Sequence, residues 1–146
     1  MTWLGIDPGI SGAWALLDDE GRIDAGDLPV VDGQIDVPAL ARLVRAAEPH
    51  AAVIERVGSM PGQGVASTFK FGAAYGDARA TIMTLGVRTH FVVPTKWKRH
   101  FSLSKDKEAS RALAIRMWPE ADCFSRKKDH GRAEAALIAL WASKNI

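Results

Sequence analysis

Cysteine is nearly absent. The single Cys123 leaves no intramolecular disulfide, and without further Cys or His residues at zinc spacing it leaves no structural zinc site either. No apolar run approaches the ~20 residues that cross a bilayer, and the opening Met1-Thr2-Trp3-Leu4-Gly5-Ile6-Asp7 has no basic stretch ahead of a long apolar one. The expectation is an intracellular, cytoplasmic protein with no membrane partner. Low-complexity tracts and repeats of solenoid period are missing too. What is present is an ordinary globular composition, 47% hydrophobic and 25% charged over 146 residues, which predicts one domain spanning 1–146 with a real core. That length leaves no room for a two-lobed kinase, a motor, a transporter or a two-lobed actin-like ATPase.

The net charge of +2 hides a segregation. Residues 1–60 hold 4 Lys and Arg against 10 Asp and Glu, a net −6, while residues 61–146 hold 15 against 7, a net +8. Lys96, Lys98, Arg99, Lys105, Lys107, Arg111 and Arg116, followed by Arg126, Lys127, Lys128 and Arg132, concentrate cation along one stretch. Solvated helix faces can look like this. Clustering of this kind is also the electrostatic footprint of a protein that binds a polyanion.

Apolar patterning divides the chain into elements. Trp3-Leu4-Gly5-Ile6 and Gly12-Ala13-Trp14-Ala15-Leu16-Leu17 read as strands joined by a hairpin, with a weaker third strand from Arg22 to Leu28. Leu40, Leu43, Val44 and Ala47 recur at helical spacing behind Asp36, and Pro49 ends that helix. Ala51-Ala52-Val53-Ile54 reads as a buried strand ending at Glu55, and a glycine-rich loop then leads to a helix from Thr68 to Leu85. A strand from Arg88 to Val93 stops at Pro94. Ser104 is the expected cap of a helix through Trp118, and a last amphipathic helix runs from about Gly131 to Ser143. The order predicts an α/β fold with a mixed sheet.

Carboxylates fall where such sheets place their chemistry. Asp7 and Glu55 each end an apolar strand, so a rigid element would hold each at the sheet's rim. Each has an ordinary explanation as well: Asp7-Pro8-Gly9 is a turn sequence, and Glu55 could be a solvated strand end paired with Arg56. If the two converge, repulsion between them calls for a divalent cation with a preference for oxygen ligands, Mg²⁺ or Mn²⁺ rather than zinc. On the last helix Glu134 lies one turn beyond His130, on the same face. Asp129 reaches that region only from the preceding turn, where it could equally serve as a helix cap. Asp7, Glu55 and Glu134 with Asp129 or His130 would suit two metal ions ~4 Å apart, the arrangement of phosphodiester cleavage.

Four motifs in series resemble the RuvC-type Holliday-junction resolvases of the ribonuclease H-like superfamily, and within them small phage or prophage members. They are Gly5-Ile6-Asp7-Pro8-Gly9-Ile10-Ser11-Gly12; Val53-Ile54-Glu55; Val93-Pro94-Thr95-Lys96-Trp97-Lys98 with Lys105-Asp106-Lys107-Glu108 beyond it; and Asp129-His130-Gly131-Arg132-Ala133-Glu134-Ala135-Ala136-Leu137. The resemblance spans nearly the whole chain. It implies a ribonuclease H-like fold whose five-stranded mixed sheet, three antiparallel strands and then parallel ones, is flanked by helices. Asp7, Glu55 and Glu134 match the family's metal-binding carboxylates, and Lys98 and Lys107 match lysines that contact junction DNA. The chain departs from the commoner pattern of two acids three residues apart, because Gly131 stands three before Glu134, and either Asp129 or His130 could supply what is missing.

The activity implied is Mg²⁺-dependent, with Mn²⁺ substituting and two ions per site. A homodimer would nick four-way or branched DNA symmetrically and leave 5′ phosphate and 3′ hydroxyl ends. Lys96, Lys105, Arg126, Lys127 and Lys128 join the expected DNA-contacting residues. Phe69 is a candidate to stack on an unpaired base, although core packing is the ordinary role for it, for Phe71 and for the tryptophans. The helix bearing Phe69, Phe71, Gly72, Tyr75 and Gly76 is a candidate dimer interface. A phage-encoded member would work in the host cytoplasm. A nuclease of this fold acting on branched DNA or RNA–DNA hybrids, and a junction-binding protein without catalysis, remain as alternatives.

Overall fold

A computed structural model describes residues 1–59 and 61–146. The chain opens with β1 (Trp3–Asp7), β2 (Ala13–Leu17) and β3 (Ile23–Asp27) in an antiparallel meander, with Asp7 opposite Ala13 in the first pair. The tight turn after Asp7 uses Gly9 at φ 120°, a conformation side chains rarely adopt, and the Gly12 N–H donates to the Gly9 carbonyl at 3.0 Å. A small hairpin of β4 (Val30–Val31) and β5 (Gln34–Ile35) follows. It is absent from the sequence expectation because its strands are two residues long. Its marker is Asp32-Gly33, whose φ values of 51° and 72° are the paired left-handed conformations of a tight Asp-Gly turn.

Helix α1 (Val37–Ala47) starts where expected, with the Asp36 carboxylate accepting from the Ala39 N–H at 3.1 Å. Strand β6 (Ala51–Glu55) then pairs parallel to β1, helix α2 (Val65–Thr84) returns, and β7 (Arg88–Val92) pairs parallel to β6. The sheet order is β3-β2-β1-β6-β7, as the resemblance implies: three antiparallel strands, then parallel ones. Helix α2 begins three residues ahead of Thr68 and ends one before Leu85.

The next two helices depart from expectation. Pro94, read as a strand stop, is also the first residue of α3 (Pro94–His100), a position where its missing N–H is harmless. Helix α4 (Lys107–Met117) is capped by Asp106, whose side chain accepts from the Glu108 N–H at 3.0 Å, and not by Ser104. The Ser104 hydroxyl instead accepts from the Asp106 N–H at 3.2 Å. A short 3₁₀ turn (Lys127–Asp129) leads into α5 (His130–Asn145).

Strand periodicity decides which side chains meet which layer, because successive residues point to opposite faces. Leu4, Ile6, Ala52 and Ile54 pack with Leu40 and Val44 of α1 and Ala74, Ala78 and Ile82 of α2. The alternate residues face α5, with Val53 against Leu137 and Ile138, and Ala13 and Ala15 against Ala133 and Ala136. Gly5 permits this second layer: a Cβ there would lie 2.2 Å from the Ala135 carbonyl oxygen and 3.1 Å from the Ala139 Cβ. Helix α5 therefore lies almost on β1, and residues 7 and 55 at the strand ends point to its side of the sheet. Among the described residues no helix is long and apolar enough to cross a membrane.

Candidate active site

Three carboxylates converge. Asp7 ends β1, Glu55 ends the neighbouring β6, and Glu134 lies one turn into α5. One oxygen from each falls within 4.8 Å of the others, close enough that the three could hold a metal ion together. Glu55 and Glu134 are buried and Asp7 is partly so. Burial pushes the Asp7 carboxyl well above its ordinary value; Glu134 and then Glu55 push it further, against the pull of Lys107 and Lys98. Burial also raises Glu55, opposed by a hydrogen bond from Trp97, with Glu134 adding to the rise and Lys98 opposing it. Asp7 and Glu55 thus resist ionising in this cluster, and a hard divalent cation held among the carboxylate oxygens would offset that.

Glu55 is not the solvated strand end that its ordinary explanation requires. It accepts a hydrogen bond of 2.6 Å from the Trp97 indole N–H, and Arg56 lies over the Phe91 ring instead of pairing with it. Lys98, the next residue on α3, brings its ammonium to 3.9 Å from Glu134 Oε1. Lys107, at the first turn of α4, lines a groove with Asp7, Glu134 and His130.

Asp129 does not join the carboxylates. Its side chain is 1% exposed and gripped by Arg126: the backbone N–H donates at 2.8 Å, Nη2 at 2.8 Å and Nε at 3.0 Å, while Arg132 lies 3.7 Å away. Burial works against its charge, but the Arg126 side-chain and backbone bonds outweigh it and hold the carboxyl below its ordinary value. Asp129 is thus a saturated clasp at the entry to α5, and makes no side-chain cap bond. In this structure it is engaged by Arg126 and stands outside the trio. His130 lines the groove, on the same helical face as Glu134, but lies outside the trio. Position 131 looks straight into the site, since a Cβ on Gly131 would sit 3.2 Å from Asp7 Oδ2.

The expected cationic residues divide. Lys98 and Lys107 border the carboxylates. Lys105, in the stretch before α4, and Lys127 and Lys128, in the 3₁₀ turn, are exposed. Arg126 is committed to Asp129, and Lys96 reaches over the Trp141 ring at 5.6 Å. Phe69 is 77% exposed, which removes core packing as its role, whereas Phe71 lies against the Gly9 turn. Two residues beyond the expected set also belong to the site. Trp97 is fully buried yet bonded to Glu55. Lys70 lines the groove with Ser67 and Phe71, and the i, i+3, i+4 spacing of 67, 70 and 71 is the signal that marks them as one face.

No family model matches the chain. Its fold, however, is that of solved resolvases. The RuvC structure of Thermus thermophilus superposes with a TM-score of 0.68 at 16% identity, over 99% of this chain and 96% of that one. The same protein in complex with a Holliday junction substrate gives 0.67 at 19% identity with the same coverage. The yeast mitochondrial Holliday junction resolvase gives 0.54 at 16% identity, over 94% of this chain and 75% of that one. A chloroplastic Holliday junction resolvase of Chlamydomonas reinhardtii is 33% identical over 86 residues, 57% of this chain but only 10% of the relative's length. The chain has the RuvC-type, ribonuclease H-like fold.

Proposed function

We propose that this protein is a metal-dependent, structure-selective DNA endonuclease that resolves Holliday junctions by paired nicks. The convergence of Asp7, Glu55 and Glu134 at one rim of a RuvC-type sheet carries the reading. The three fit Mg²⁺, or Mn²⁺ in its place, because every donor is a carboxylate oxygen. Such ions, two per site, supply activation of water and neutralisation of the leaving 3′ oxygen.

The chain's own residues do the rest. Asp7, Glu55 and Glu134 gather negative charge where the scissile phosphate must approach, and Lys98 and Lys107 beside them offset part of it and hold phosphate oxygens. Lys105, Lys127 and Lys128 add salt-dependent affinity along the strand. Lys96 and Arg126 are exposed and add positive charge while engaged with Trp141 and Asp129. His130 supplies a nitrogen at the groove wall as a further ligand or proton carrier. Phe69 offers a stacking face to an unpaired base. Cleavage leaves 5′ phosphate and 3′ hydroxyl ends. As an alternative to stacking, Phe69 and Val65, which both face outward on α2, form the interface of a homodimer that presents two sites to opposite strands.

Matched four-way, flap and RNA–DNA hybrid substrates test the reading. Preferential paired nicking of the four-way substrate is expected; equal cleavage of flap or hybrid would assign a general nuclease of the same fold. A junction-binding protein without catalysis is the second reading, favoured by the missing side chain at Gly131. Tight junction binding without nicks in Mg²⁺ would select it.

A further inference from the structure

Trp97 ranks among the largest fully buried side chains of the molecule, yet its polar edge points at the candidate site. The indole packs among Val53, Val92, Leu137, Ile138 and Trp141, and interiors this close-packed leave a large ring one orientation. The chain path explains the aim. Glu55 sits opposite Val92 in the β6–β7 register, and α3 starts two residues later at Pro94, so Trp97 comes back over the end of β6. An indole N–H can only donate, and here it donates to Glu55 Oε2 at 2.6 Å. Lys98, the adjacent residue, meets Glu134. One seven-residue helix therefore contacts two of the three carboxylates.

We infer that Trp97 is a positioning residue: its buried indole N–H fixes the Glu55 carboxylate in the orientation that receives a divalent cation. The inference rests on the metal-dependent reading above. Glu55 Oε2 is held by a donor that packing fixes in place, which sets how the carboxylate faces Asp7 and Glu134. Partners behind metal ligands typically change metal affinity 10–100-fold when removed. A buried indole that merely needed an acceptor would affect folding alone.

Titration calorimetry with Mn²⁺ separates the two roles, using wild-type protein, Trp97→Phe, Glu55→Gln and the double variant. Phe keeps most of the packing and removes the donor. The expected result is a loss of Mn²⁺ affinity of about 10–100-fold in Trp97→Phe, junction cleavage restored by raising the metal concentration, and a double variant no weaker than Glu55→Gln alone. Wild-type affinity in Trp97→Phe overturns the inference and leaves the nuclease reading standing; wild-type protein that binds no Mn²⁺ overturns both. Should Trp97→Phe not fold, the Trp97 indole ¹⁵N–¹H resonance of wild-type protein serves instead. It should shift on addition of Mg²⁺, and an unmoved resonance at saturating Mg²⁺ contradicts the inference.

Discussion

At Asp7, burial followed by Glu134 and Glu55 places the carboxyl well above its ordinary value of 3.8, with Lys107 and Lys98 only partly offsetting the rise. The folded state therefore holds this proton to higher pH than the unfolded chain does. Stability without metal is fullest below the ordinary carboxylate range and declines as pH rises through the raised value; Glu55 contributes with the same sign. Thermal melts in EDTA across this range should show that decline, and Asp7→Asn should flatten it and raise the melting temperature at neutral pH. The same substitution should reduce cleavage by at least about 100-fold while keeping or strengthening junction binding, because it removes negative charge beside the phosphate. Loss of both activities from folded protein would count against the site. Asp129 behaves oppositely: the Arg126 bonds lower its carboxyl despite burial, so its contribution is present near neutrality and is lost as pH falls through the depressed value. Asp129→Ala should lower stability by about 2–3 kcal/mol through its charged hydrogen bonds without weakening Mn²⁺ binding, as read by chemical denaturation beside calorimetry.

Element placement turns these residues into a site. Helix α5 carries Glu134 and can approach β1 only because Gly5 has no side chain. Gly5→Ala should destabilise the fold by about 1–3 kcal/mol through overpacking and weaken Mn²⁺ binding by displacing Glu134; unchanged affinity would show that α5 does not set the site's geometry. The strands were legible in sequence because β1, β2 and β6 are short apolar runs ending at turn residues or acids, and α1 because Asp36 and its apolar spacing agree. Helix α3 was not, since seven residues rich in Lys and Arg after a proline carry no apolar period beyond Trp97. Asp7, Glu55 and Glu134 were candidates by position, each strand-end acid with an ordinary explanation beside it, and only the four motifs in series joined them. Distinguishing Asp129 from them required seeing Arg126 fold back over it, a contact between near neighbours that spacing permits but does not demand.

Over the whole molecule, the acidic first part of the chain supplies Asp7 and Glu55, and the basic second part brings Lys98 and Lys107 beside them and leaves Lys105, Lys127 and Lys128 exposed. Affinity for DNA should therefore fall steeply with salt, and replacing both Lys98 and Lys107 with Ala should reduce the slope of log K against log salt by about 2, measured by anisotropy titrations at several NaCl concentrations. An unchanged slope would place the DNA on another face. In the proposed function, the rim of this RuvC-type sheet cuts DNA with a metal held by Asp7, Glu55 and Glu134. The most direct test is an end-labelled synthetic four-way junction incubated in Mg²⁺ and in EDTA with wild-type, Asp7→Asn and Glu134→Gln proteins. Paired nicks at symmetric positions are expected from wild-type protein in Mg²⁺ alone; nicks that persist in EDTA or in either variant, or binding with no nicks at all, would rule this reading out.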